Sequence, residues 1–148
     1  LLTAVKKVTR EYYAEYKRAA KTKELNPARL HLYENATLTG NYEFLDGKKA
    51  IIEALEKFFT LVSDANIQHQ YFDHESSCTI LDVITIIPEI VIKTTIRLVV
   101  VDEGITEIYI YYDTLPWKNL MHKLQNQSSV VDYFQKAARN FQKATSYE

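Results

Sequence analysis

The chain has 148 residues, 18 basic and 19 acidic, for a net charge of −1, and 47% of it is hydrophobic. That is the balance of one globular domain able to bury its own core, and it argues against a dedicated nucleic-acid binder, which needs a basic excess or a basic face. A single cysteine, Cys78, excludes an internal disulfide and a cysteine-based zinc site, and the three glycines Gly40, Gly47 and Gly104 leave no phosphate-cradling loop or dinucleotide fingerprint.

Residues 3–21 read as an amphipathic helix, with Val5, Val8, Tyr12, Tyr16 and Ala19 at the three-to-four spacing of one buried face. Asn26-Pro27 reads as a cap followed by a proline at the first helical position, which predicts a short helix from Ala28 to Tyr33. Ala36 to Phe44 has strand character, bent or bulged at Gly40. Asp46 is the expected cap of a further helix running to about Val62, whose buried face holds Ile51, Ile52, Leu55, Phe58, Phe59 and Val62.

Beyond Asp64 the hydrophobic period falls to two. Ile67–His74, Cys78–Ile87, Glu89–Val101 and Ile105–Asp113 read as four strands. Asp102-Glu103-Gly104 is a tight hairpin between the last two. Charge placement on the third favours Thr94, Ile96 and Leu98 facing inward over Lys93, Thr95 and Arg97. The apolar-rich run from Ile80 to Val101 is broken by Asp82, Pro88, Glu89, Lys93 and Arg97, so it is no membrane span. Leu115-Pro116-Trp117 ends the sheet, and a polar stretch from Gln125 to Ser129 leads into a last helix, Val130 to Ala144, with a stripe of Val130, Phe134, Ala137 and Phe141. Helices gathered before a run of strands predict an α+β fold with the helices on one face of an antiparallel sheet.

Two stretches carry a resemblance to a known superfamily. One is Leu32-Tyr33-Glu34-Asn35-Ala36-Thr37-Leu38 followed by Asp46-Gly47-Lys48-Lys49-Ala50-Ile51. The other is Val101-Asp102-Glu103-Gly104-Ile105-Thr106-Glu107-Ile108, then Tyr111-Tyr112-Asp113. In order and spacing these resemble the NTF2-like superfamily, its SnoaL-like branch in particular, over about residues 4–114. The resemblance implies an NTF2-like (cystatin-like) cone, a curved antiparallel sheet wrapped around the N-terminal helices with a pocket between them, and dimerisation through the outer sheet face. It divides the chain into a domain at 1–115 and a C-terminal helical extension at 116–148.

The family's steroid isomerases use a carboxylate on the strand after the second helix. Here that place reads Thr37-Leu38-Thr39-Gly40, and Glu34 and Glu43 are off register. Their first-helix tyrosine has possible matches in Tyr12 and Tyr16. In the SnoaL-type cyclases an Asp and a His act, and their places fall on Ile110 or Tyr111 and at or next to Thr95. Neither mechanism transfers. His69 and Asp73, on one face of their strand, are too far apart for a direct pair and supply no metal site alone. Asp82 is an acid on an apolar strand, expected to pair with Lys93 or Arg97 rather than to face a pocket.

The first expectation is therefore a binding module for a small apolar molecule, lacking the usual catalytic acid. Its candidate ligand-facing residues are Tyr12, Tyr16, Tyr33, His69, Tyr71, Ile110 and Tyr112. No catalytic residue, metal or cofactor is assigned. A homodimer through the sheet face, no nucleic-acid or membrane partner, and a cytoplasmic location complete it. The alternatives are an isomerase, cyclase or dehydratase acting on a small cyclic or polyketide-like substrate, and a protein–protein adaptor.

Overall fold

The computed structural model describes residues 2–86 and 89–124. The helix expected from Val130 to Ala144, and its docking onto the fold, lie outside the described residues. The remaining elements are α1 (Leu2–Thr22), a 3₁₀ turn (Pro27–Leu30), β1 (Leu32–Thr39), β2 (Phe44–Asp46), α2 (Lys48–Phe59), β3 (Val62–Phe72), β4 (Ser76–Thr85), β5 (Val91–Val101), β6 (Gly104–Tyr112) and α3 (Thr114–Leu124).

The long helix forms as its periodicity predicts, and Val5, Val8, Tyr12, Tyr16 and Ala19 are all buried. It ends at Lys23, which turns left-handed (φ 66°) and donates its backbone N–H to the Ala19 carbonyl at 2.8 Å. The Lys23 ammonium donates to the Ala20 and Val62 carbonyls, joining the helix end to the start of β3. Asn26 caps as expected, its side-chain oxygen accepting from the Ala28 N–H at 3.3 Å.

The strand expected at Ile67–His74 begins earlier, at Val62, and those expected at Cys78–Ile87 and Glu89–Val101 run Ser76–Thr85 and Val91–Val101. Four further boundaries differ from the sequence reading, each for a tertiary reason. The short helix stops at Leu30 instead of Tyr33, because His31 is left-handed (φ 57°) and its carbonyl accepts from Ile105 N–H at 2.7 Å. Sheet pairing thus captures Leu32 onward as β1. The strand drawn through Gly40 is two strands around a turn, closed by Gly40 N–H donating to the Glu43 carbonyl at 2.9 Å. Asp46 is the last residue of β2, and Gly47 (φ 99°) takes the cap position of α2 without a side-chain bond. That helix ends at Phe59, since Val62 already pairs with Thr85 of β4. A fifth difference is α3, where a break in the sheet was expected but no helix. Asp113 accepts the Leu115 N–H at 3.0 Å, and Pro116 falls in the first turn, where its missing N–H costs nothing.

The six strands form one sheet in the order β2-β1-β6-β5-β4-β3, antiparallel except for the β1–β6 pair. Register shifts in β3 (Val62/Asp64 and Ile67/His69), in β5 (Val99/Val100) and in β1 (Leu32/Thr37) bend the strands and raise their twist. The inner face carries Ile92, Thr94, Ile96, Leu98 and Val100 of β5, the alternation that charge placement favoured. Packing α1 over β3–β5 and α2 over β1–β2 covers that face. The joint between the helices is aromatic: Tyr16 meets Phe59 edge-on at 5.0 Å and Phe58 at 6.0 Å, and Tyr12 meets Tyr13 edge-on at 5.0 Å. Each such pair adds about 0.5–1.5 kcal/mol beyond its buried area. No helix among the described residues is long and apolar enough to cross a membrane.

Candidate functional site

Between the C-terminal half of α1, α2 and the inner sheet lies a partly enclosed cavity of about 60 Å³. Tyr16 enters it from α1, Ala54, Leu55 and Phe58 from α2, and Leu38 from β1. Val83, Ile92 and Thr94 form its floor from β4 and β5, and Ile110 and Tyr112 come from β6. Among the described residues the single ionisable carboxyl in this lining is Glu43.

Glu43 gets there through its turn. Gly40-Asn41-Tyr42-Glu43 reverses the chain from β1 to β2, and the Glu43 side chain folds back over Gly40. A Cβ built on residue 40 would lie 2.1 Å from Glu43 Oε1, so the lack of a side chain at Gly40 makes the space the carboxyl occupies. Asn41 fastens the turn to the end of β6, donating Nδ2–H to the Tyr112 carbonyl at 2.8 Å and accepting the Tyr112 N–H at 3.1 Å. The two hydrogen bonds hold Glu43 and Tyr112 at the same end of the cavity.

The electrostatics follow from burial. Glu43 is 5% exposed. Its desolvation pushes the carboxyl pKa above the ordinary range, only partly offset by the Tyr42 N–H that donates to Oε2 at 3.1 Å. Tyr112 is pushed up to about 12, first by desolvation and then by the neighbouring Glu43 charge. Burial likewise raises Tyr16 well above its usual value, with Tyr12 adding to it. At neutral pH both phenols are therefore O–H groups, able to donate, beside a carboxyl biased towards its neutral form. Such a carboxyl can release a proton to a ligand or take one from it.

The sequence-predicted residues separate into two sets. Tyr16, Ile110 and Tyr112 line the cavity. Tyr12, Tyr33, His69 and Tyr71 do not. Tyr12 is wholly buried in the core, its hydroxyl without a partner among the described residues. Its neighbour Tyr13 is buried too, with Thr79 nearby but no hydrogen bond closed. Tyr33 lies half-exposed over Gly104, and its hydroxyl donates to the Val101 carbonyl at 2.8 Å. His69 and Tyr71, stacked at 6.3 Å, are exposed on the outer sheet face opposite Ile80 and Cys78. The register shift at Ile67/His69 belongs to this strand; beyond it Gln70 and Phe72 pair with the inner-face residues Thr79 and Ser77.

Asp82 also faces outward and pairs with Lys93 at 2.9 Å. Of the positions equivalent to the cyclase residues, Ile110 lines the cavity, while Tyr111 and Thr95 pair across the outer face. Glu43, Phe58 and Leu38 belong to the lining without having been singled out. The signal for Glu43 was the Gly-Asn-Tyr-Glu turn composition, which re-aims a residue that strand alternation misplaces. Among the described residues no group of three or more His, Cys, Asp or Glu could hold a metal ion.

No family model matches the sequence, and no curated protein is similar to it in sequence. Solved structures are similar in fold. An NTF2-like protein of unknown function from Cytophaga hutchinsonii superposes with a TM-score of 0.59 at 20% identity, covering 74% of this chain and 94% of that one. A proposed SnoaL-like polyketide cyclase from Jannaschia gives a TM-score of 0.65 at 7% identity, with 76% and 90% covered. A protein of ketosteroid isomerase-like fold from Catenulispora acidiphila, solved in complex with trimethylamine, gives 0.57 at 15% identity, with 70% and 85% covered. One curved sheet closed over two helices is the NTF2-like fold, which this chain shares with these SnoaL-like and ketosteroid isomerase-like structures.

Proposed function

We propose that this chain is a small-molecule-binding protein whose cone holds a compact, largely apolar ligand, with Glu43 as the polar anchor. The observation that carries this is a buried carboxyl in an otherwise aliphatic and aromatic cavity. A fold that needed only a core would gain stability from an apolar side chain there, because a desolvated acid is costly. An apolar cleft with a few convergent polar groups is the usual form of a ligand site. The trimethylamine held by the Catenulispora neighbour supports a small ligand on this fold. At about 60 Å³ the cavity is less than half the roughly 150 Å³ of an engineered apolar cavity that admits benzene, so the ligand is small or the cone opens to receive it.

Methyl NMR titration with 2-butanone tests the reading. Binding should shift the Leu38, Leu55, Ile92 and Ile110 methyls together and leave Ile80 and Ile84 on the outer face unmoved. Uniform or absent shifts would reject it.

One observation favours a second reading, catalysis by proton transfer at a carbon acid. Burial raises the pKa of the Glu43 carboxyl, and Tyr16 and Tyr112 line the same cavity, their phenols potential donors to a developing oxyanion. Exchange of the α-protons of 2-butanone with deuterium from the solvent, faster with the protein than with buffer and lost in Glu43→Gln, would establish it. Binding without exchange would leave the first reading standing alone.

The same reading includes a homodimer through the outer sheet face. There Ile80, Ile84, Val91, Val99, Tyr109 and Tyr111 lie among the Asp82–Lys93 pair and Arg97, which sits 5.6 Å from the Tyr109 ring centre. Val91 is 43% and Tyr111 52% exposed, an apolar and aromatic patch of the kind that marks an interface. A monomer in sedimentation at micromolar concentration would refute the dimer.

A further inference from the structure

We propose that the ligand of this cone is a small organic ammonium ion, with Glu43 as its counter-charge and the rings of Tyr16, Phe58 and Tyr112 as its walls. The inference rests on reading the cavity as a ligand site and names the class of molecule that site takes.

The first support is the missing partner of Glu43. Among the described residues the ion pairs join Lys7 to Glu103, Lys17 to Asp64, Arg18 to Glu15, His31 to Glu11, Lys48 to Glu34 and Lys93 to Asp82. Glu43 is in none of them. Its carboxyl is met by the Tyr42 N–H and its own backbone N–H, and by no side-chain cation among the described residues. A buried carboxylate is stable only when paired, so the charged state of Glu43 calls for a cation brought from outside.

The second support is the composition of the rest of the lining. A cation of this site must tolerate apolar walls, because Leu38, Leu55 and Ile92 offer it no oxygen. That rules out hard metal ions, which need six or more oxygen ligands or retained waters. Phosphates and carboxylates fit no better, since no basic side chain among the described residues lines the cavity. An alkylammonium ion satisfies both halves. Its methyl groups pack against aliphatic side chains, and its diffuse charge is attracted by aromatic rings, which enter here from α1, α2 and β6.

The third support is proton balance. Tyr16 faces the cavity from α1 and Tyr112 from β6, both held as neutral phenols by burial, and Tyr42 precedes Glu43 in the turn. The lining residues of α2, β4 and β5 carry no ionisable group. Entry of a permanent cation favours the ionised form of Glu43, and any proton the carboxyl carries leaves to solvent. Binding tightens as pH rises and levels off above the Glu43 pKa.

Isothermal titration with tetramethylammonium chloride, against sodium chloride of equal ionic strength, tests this across a pH series from about 4, near the ordinary carboxyl value, to about 8. tert-Butanol, neutral and of similar shape, is the paired probe. Affinity for the cation should rise with pH. Titrations in two buffers of different ionisation enthalpy should show proton release at the acid end. Glu43→Gln should weaken cation binding at least tenfold and Phe58→Leu severalfold, with tert-butanol indifferent to pH and to Glu43→Gln. If Glu43→Gln does not fold, the wild-type pH profile and proton release decide alone. Tight tert-butanol binding with no pH-dependent cation binding would overturn the ammonium assignment and leave the ligand site intact. If neither probe binds or moves the Leu38 and Ile110 methyls, the ligand-site reading fails as well.

Discussion

Two buried glutamates, one on α1 and one in the turn between β1 and β2, have opposite fates. Glu15, on α1, is 1% exposed, yet its carboxyl is held below the usual range. Burial alone would push it up. The Arg18 guanidinium, donating twice at 2.7 and 2.8 Å, and the Asn26 N–H at 2.7 Å, with Arg29 adding charge, outweigh that cost. Arg18 also donates to the Glu24 carbonyl at 3.0 Å, so one ion pair joins the helix to the segment leading into the 3₁₀ turn. Glu43 is nearly as buried, but it has only backbone donors and no cation among the described residues, and its carboxyl moves the other way. The difference teaches that burial does not set the role of an acid. The partner does: a satisfied carboxylate ties segments together, and an unsatisfied one in a cavity is available to a ligand.

The largest effect should come from breaking the satisfied acid. Glu15→Ala strands Arg18 and the Asn26 N–H and should destabilise the fold by about 2–3 kcal/mol, below the 3–5 typical of a fully buried pair because Arg18 reaches solvent. Urea denaturation measures it. The pH signs separate the two acids. The Glu15 pKa is lowered in the folded state, so its stabilisation is present above the unfolded value of about 4.3 and is lost as pH falls through the folded one. Asn41→Ala comes next. It removes both bonds from the turn to Tyr112 and should cost about 1–2 kcal/mol, while loosening the site enough to broaden the Tyr112 and Glu43 NMR signals.

Glu43→Gln should go the other way, stabilising the protein by about 1 kcal/mol at neutral pH by removing a desolvated acid. Because the folded pKa of Glu43 is raised, its charge is no burden below about pH 4.3 and becomes one as pH rises through the folded value. The variant should therefore match wild type in acid and exceed it at neutrality. Equal stability at both pH values would break the contrast with Glu15. The smallest effect is expected on the outside: Asp82→Asn breaks a pair whose lysine is largely in water, and should change stability by at most about 0.5 kcal/mol with no change in ligand binding.

Much of this architecture was legible in the chain. The period of α1 marks its buried face because a helix that packs on a sheet must repeat its apolar residues every three to four positions. Likewise, Lys93 and Arg97 against Thr94, Ile96 and Leu98 settle which side of β5 is inside, since charges are expensive there. Tyr16, Ile110 and Tyr112 sit on those legible faces and do reach the cavity. Tyr12 shares the face of Tyr16 but lies in solid core, because periodicity gives the direction of a side chain and not how far the space before it is filled. His69 and Tyr71 point outward in a strand whose pairing shifts register just before them, and a shift of one residue reverses every later side chain. The helix signal at Ala28–Tyr33 yielded to pairing with β6, a contact some seventy residues away that no local propensity encodes. Sequence alone determined the α+β class, the helix faces and the strand alternation, all properties of neighbours along the chain. That Glu43, and not a residue of β1, becomes the acid of the cavity was decided only in the folded molecule. It depends on a turn folding back over Gly40, on Asn41 reaching Tyr112, and on the lack of a cation among the described residues that line the cavity.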